Sequence, residues 1–273
     1  MRPGLFVALA MLTAVRASDA RESKAATVNA VVNEVKTGER ALKQGDAINE
    51  NESVVTGAVS RAELALPGKI VARLSEKSTF SFKDRRDLNV QDGAVLLQTP
   101  RGARGARLVA GDIAVATAGT TIVFEHHATT YKLLVLQGTA RLYRPRHFGD
   151  SMLVETGQMV IANPNGELSA AVDFDDARFL KTCRLLTQFS PLPNAAAIAR
   201  DAEKQARAKN KKQLVETNLV IHGAGNAATV TDGGKIDNSI NAASGTPPPT
   251  NAATREIDSL GTIDAAKAAG TSR

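Results

Sequence analysis

The chain has 273 residues, a formal charge of +6 at neutral pH, no Trp and a single Cys. One cysteine rules out an internal disulfide, so stability must come from packed apolar surface. An aromatic content of 4% argues against a platform that stacks sugars or bases.

Residues 1–20 open with Arg2, continue in an apolar run over residues 5–15, and end in Val15-Arg16-Ala17 and Ser18-Asp19-Ala20. A run of about 11 residues is too short for a bilayer core that needs about 20, so the segment predicts a cleaved export signal. Cleavage after Ala17 and after Ala20 fits equally well. Its loss leaves a basic chain, about +5, biased toward polyanionic surfaces without identifying one. No later stretch is apolar enough to cross a membrane. The mature chain is therefore expected to be periplasmic or extracellular, soluble or peripherally attached, and export argues against nucleic acid as a partner.

Residues 26–170 read as one β domain. Ala62, Leu64 and Leu66 alternate with polar neighbours, as do Ile70, Ala72 and Leu74, then Phe80 and Phe82, then Leu88 and Val90. Each set gives one apolar face to a pleated strand. Turn signals separate them at Pro67-Gly68, Asp92-Gly93, Gly111-Asp112, Gly138 and Gly157. This spacing predicts an all-β fold, a compact roll or sandwich of short, mainly antiparallel strands, followed by C-terminal helices and a flexible tail.

Over residues 173–190 the period becomes helical. Asp173 or Asp175 can cap a helix with Phe179, Leu180, Cys183, Leu186 and Phe189 on one stripe, docked on the β domain. Cys183 on that stripe reads as core. Residues 194–214 predict a second, basic Ala-rich helix capped by Asn194, with Ile198 as its only large apolar residue, projecting into solvent or toward a partner. Residues 218–273 are rich in Gly, Asn, Ala and Thr and predict a largely disordered tail.

The candidate chemistry is sparse. Glu125-His126-His127 reads as exposed turn residues, because adjacent histidines on a strand face opposite ways and no third metal ligand is evident. Asp173, Asp175 and Asp176 suit a helix N-terminus, with a paired-carboxylate hydrolase as a lesser alternative. No catalytic residue, metal or cofactor is expected. Two basic groups, Arg101, Arg104 and Arg107, then Arg141, Arg144 and Arg146, can contact an anion or a partner, or are simply solvated loops.

Six segments carry a resemblance to a known family: residues 42–66, 72–82, 88–102, 118–126, 132–143 and 154–162. They include a Thr-Gly turn with a Ser-x-Ala-x-Leu strand, a Gly-Thr segment, a Val-x-x-Gly-x-Ala strand pair and a final Gly-Gln turn. In this order the chain resembles the FecR domain family, whose members are extracytoplasmic signal-relay or envelope proteins. The residues that carry the likeness, Thr56, Gly57, Gly119, Thr120, Gly138, Gly157 and Gln158, read as turn and strand-end architecture. Gly111-Asp112 and Ala118 stand where relatives often show Thr-Pro and Arg.

The resemblance implies a stand-alone exported FecR-like domain, non-enzymatic, that recognises another envelope protein, within a signalling system. A binder of anionic envelope polymers through the arginines is the alternative.

Overall fold

The structure, a computed structural model, describes residues 24–127, 130–147, 149–162, 168–210, 213–217 and 229–230. In chain order the strands are β1 (Lys24–Val32), β2 (Val35–Thr37), β3 (Arg40–Ala41), β4 (Ala47–Asn49), β5 (Ser53–Thr56), β6 (Arg61–Leu66), β7 (Ile70–Leu74), β8 (Thr79–Phe82) and β9 (Asp87–Gln98). They continue as β10 (Ala106–Ala110), β11 (Ile113–Thr117), β12 (Thr121–His127), β13 (Thr130–Gln137), β14 (Thr139–Tyr143), β15 (Ser151–Glu155), β16 (Gln158–Ala162) and β17 (Val172–Asp173). Three helices follow, α1 (Asp176–Thr182), α2 (Arg184–Thr187) and α3 (Ala195–Ala208), then a small pair, β18 (Val215–Glu216) with β19 (Thr229–Val230).

Strands β1 to β17 form two sheets joined through β9. Sheet A runs β4-β1-β6-β7-β9-β12-β13-β16-β17. Sheet B runs β3-β2-β5-β8-β9-β10-β11-β14-β15. Every pairing is antiparallel except β9 with β10. After β9 the chain lays hairpins alternately: β10–β11 on sheet B, β12–β13 on sheet A, β14–β15 on sheet B.

This is the all-β, mainly antiparallel arrangement that the alternation of Ala62, Leu64 and Leu66 and its fellows predicts. Those inward residues, with Phe80, Phe82, Ile122 and Phe124, make the core between the sheets. Asp92-Gly93, expected as a turn, instead lies inside β9. The first half of β9 alternates buried and partly exposed, while the second half is buried throughout. Gly93 sits at the junction with φ +95°, bending one strand from sheet B into sheet A. A Cβ there would lie 2.1 Å from Ser78 Oγ and 2.6 Å from Ser78 Cα, so only glycine fits.

The half of sheet A formed by β9, β12, β13 and β16 is covered on both faces. Its outward residues Leu96, Val123, Leu134, Leu136, Met159 and Ile161 form a second core with Phe174, Phe179, Cys183, Leu185, Leu192 and Ile198. Helix α1 starts where Asp175 accepts the Arg178 backbone N–H at 2.9 Å, the cap the sequence suggests. Burial raises the Cys183 thiol to about 11, which keeps it protonated and inert. Helix α3, expected to project into solvent, is docked instead: Ile198 and Ala202 are buried against the domain. Asn194 does not cap it. Its amide donates to Thr121 Oγ1 at 2.7 Å and Gln137 Oε1 at 2.6 Å on sheet A.

Arg73 fastens this extension. Its guanidinium, 1% exposed, pairs with Glu63 at 2.8 Å, donates to the Leu185 carbonyl at 2.8 Å and to the Ser190 carbonyl, and lies over the Phe189 ring. The expected export signal and tail, residues 1–20 and nearly all of 218–273, lie outside the described residues.

Candidate functional site

The helices that cover half of sheet A leave open to solvent the outer face of sheet B. The two basic groups separate on it. Arg107 on β10 is held by a bidentate pair with Asp87 on β9, which, with Tyr143, raises its pKa. Arg144 is mostly buried, bound to Asp150 at 3.1 Å and Asp112 at 3.5 Å. These two arginines have structural partners already. Arg101 lies against Gly119 at the β9 to β10 connection, beside α3, and Arg104 is exposed nearby. Arg141 is exposed on the outer face, in register with Ala116 and, through it, with Arg107. Arg146 lines a cleft.

That cleft, of about 630 Å³, lies over β5, β8, β9 and β10. Register places Ser53, Ser81 and Asn89 opposite one another on three adjacent strands. Gln91, Lys83 and Arg146 border the row, and Val109 and Pro145 supply apolar surface. Of these residues only Arg146 stood out in composition and motifs, because Ser53, Ser81 and Asn89 are each a single polar position on a different strand. The signal present was the polar half of each alternating strand, which marks the solvent face without marking a site.

Two further features distinguish sheet B. Among the described residues strand β15 has a paired register only with β14, which leaves the other side of its backbone as an edge. Leu153, at its centre, is 59% exposed. At the turn before β6, Val59 is the other strongly exposed large apolar residue among the described residues, and it holds a left-handed φ of +54°.

The acidic group divides. Asp175 caps α1, and Asp173 pairs with Lys209 at 2.5 Å. Asp176 is buried between α1, α3 and the β15–β16 turn, on a cavity of about 300 Å³ shared with Asp201, Lys204 and Gln205. Neither of its carboxylate oxygens has a hydrogen-bond partner among the described residues. Burial, then the charges of Asp175, Asp201 and Asp173, push its pKa up to about 7.

The expected exposed turn at Glu125-His126-His127 is instead the end of β12, drawn in because β12 lies between β9 and β13. Glu125 pairs with Lys132 at 2.7 Å inside the second core region. His126 stacks on Tyr131 with ring centroids 4.7 Å apart, and His127 reaches Asp92 at 3.2 Å. The described residues contain no cluster of three or more His, Cys, Asp or Glu suited to a metal.

The motif turns hold strand ends. Thr56 Oγ1 donates to the Ser75 carbonyl at 2.6 Å and accepts from the Ser78 N–H at 2.8 Å. Gly57 leaves room for the Glu34 carboxylate, and Gly119 turns at φ +67°. Thr120 Oγ1 donates to the Thr139 carbonyl at 2.9 Å, Gly138 packs on the Gly119 carbonyl, and Gln158 accepts the Glu155 N–H beside Gly157.

The model of the FecR protein family matches residues 52–141, which run from β5 into β14. This agrees with the family read from the six segments. No curated protein matches the chain. Two crystal structures of an anti-sigma factor candidate from Parabacteroides distasonis are similar at 13% identity and a TM-score of 0.39, over 44% of this chain and 59% of theirs. A likeness that slight carries no weight for fold or function. No helix among the described residues is long and apolar enough to cross a membrane.

Proposed function

We propose that this chain, whose residues 52–141 match the FecR family, is a non-enzymatic, exported recognition domain that docks a protein partner in extracytoplasmic signalling. The observation that carries the reading is the asymmetry between the sheets. The β9, β12, β13 and β16 half of sheet A is sealed by the opposing sheet and by the helices, whereas sheet B keeps an open face that ends, among the described residues, in the edge of β15 with Leu153 exposed. An open edge supplies a row of backbone donors and acceptors to which a partner segment can add as a further strand. The other end strands, β3, β4 and β17, have two or three residues each and offer less to pair with.

The polymer-binding alternative is favoured by one observation: Arg101, Arg104, Arg141 and Arg146 have no ion-pair partner among the described residues. Contacts of that kind are screened by salt within about 10 Å at 0.1 M. The test is a photo-crosslinking residue placed at position 153, with one at 104 as control, in the full chain mixed with envelope extract at low and high salt. A discrete protein adduct at 153 that persists at high salt supports the partner reading. Adducts confined to 104, lost at high salt, replace it with the polymer reading.

A further inference from the structure

The cleft over β5, β8, β9 and β10 is built from groups that β-strand docking cannot use. Each of β8, β9 and β10 is paired on both sides, so their backbone donors and acceptors are consumed. What faces the cleft is side-chain chemistry: the hydroxyls of Ser53 and Ser81, the amides of Asn89 and Gln91, and the cations of Lys83 and Arg146. None of these side chains has a hydrogen-bond or ion-pair partner among the described residues. Ser53, Ser81 and Asn89 follow one another across neighbouring strands, which spaces them by roughly 4.8 Å.

Hydroxyls and amides each donate and accept, which suits a ligand dense in hydroxyl groups better than one offering only acceptors. Two unpaired cations at the border call for a negative group on that ligand. Of the two carboxylates that line the cleft, Asp87 is paired with Arg107, and Asp112 shares Arg144 with Asp150, so Lys83 and Arg146 leave the lining net positive. Phe82 is fully buried with its ring in the core, so no aromatic face is available for stacking. Val109 and Pro145 provide apolar contact for the carbon face of a ring. We propose that this cleft is a binding site for an acidic oligosaccharide, held by the Ser53–Ser81–Asn89 row and charge-matched by Lys83 and Arg146.

The Ser53–Ser81–Asn89 row is separated from β15 by β10, β11 and β14, and the proposal does not depend on the partner reading. The test is calorimetric titration of the full chain with a galacturonic-acid oligomer and with a sulfated oligosaccharide, alongside the methyl-esterified oligomer and inorganic polyphosphate. Saturable binding of an acidic oligosaccharide is expected, weaker for the esterified form. Ser81→Ala combined with Asn89→Ala, both on the solvent side of the sheet, should weaken it at least about tenfold, since one lost hydrogen bond is worth roughly fivefold. Lys83→Gln with Arg146→Gln should weaken it and flatten its salt dependence. Leu153→Lys should leave it unchanged. Failure of both acidic oligosaccharides to bind overturns the proposal. So does equal competition by polyphosphate with Ser81→Ala/Asn89→Ala silent, which would reduce the cleft to a patch of positive charge.

Discussion

Asp176 makes stability depend on pH in a direction opposite to that of an ordinary paired carboxylate. It is 2% exposed, its two oxygens lack partners among the described residues, and Asp173, Asp175 and Asp201 surround it, opposed by Lys209. Its pKa stands at about 7 against an ordinary 3.8. The folded chain therefore holds a proton that the unfolded chain gives up. Stability from this residue is intact below about pH 4, falls as pH rises, and is fully lost above about pH 7. Three units correspond to about 4 kcal/mol, of which about 3 kcal/mol falls between pH 5 and pH 8. Asp176→Asn removes the titration while keeping the shape. The assay is urea unfolding of the full chain followed by circular dichroism, since there is no Trp to report fluorescence. The variant should gain on the wild type by about 3 kcal/mol on going from pH 5 to pH 8. Comparing the two proteins cancels the histidines, which titrate in both. Parallel pH profiles for wild type and variant would mean that Asp176 does not titrate in the folded chain near neutral pH.

Three further outcomes follow from the packing. Arg73→Met should destabilise by about 3–5 kcal/mol, because it strands Glu63 and the carbonyls of Leu185 and Ser190, and residues 176–208 should become protease-sensitive first. Gly93→Ala should cost more than about 3 kcal/mol in urea unfolding, since the new methyl meets the Ser78 backbone at a left-handed position. Val59→Asn should instead raise stability by about 1 kcal/mol, because a β-branched residue there bears the left-handed penalty while its side chain, 57% exposed, buries little.

Period-two alternation made the inner core legible, since Leu64, Phe80 and Leu88 each mark one face of a strand. The enclosure of sheet A was written less openly, in runs such as Val95-Leu96-Leu97 and Leu133-Leu134-Val135-Leu136, where consecutive apolar residues signal burial on both faces. Helix α3 looked solvent-bound because Ile198 stood alone. Its docking uses Ala202, Gln205 and Asn194, residues whose role depends on what sheet A presents to them. The arginine groups were visible, but their sorting was not: Arg107 is claimed by Asp87, 20 residues away in sequence, and Arg144 by Asp150 and by Asp112, the latter 32 residues away. The cleft was illegible for the same reason, since Ser53, Ser81 and Asn89 meet only through strand register.

Recruitment of a protein by the open edge of sheet B, as proposed, is open to direct test. The most direct measurement is retention of envelope protein by the immobilised full chain at high salt, comparing the wild type with Leu153→Lys, which puts a charge on the edge without touching the core. A crosslink-verified partner held by the wild type and lost by the variant is expected. Retention that is the same in both, or that vanishes with salt in the wild type, would contradict it.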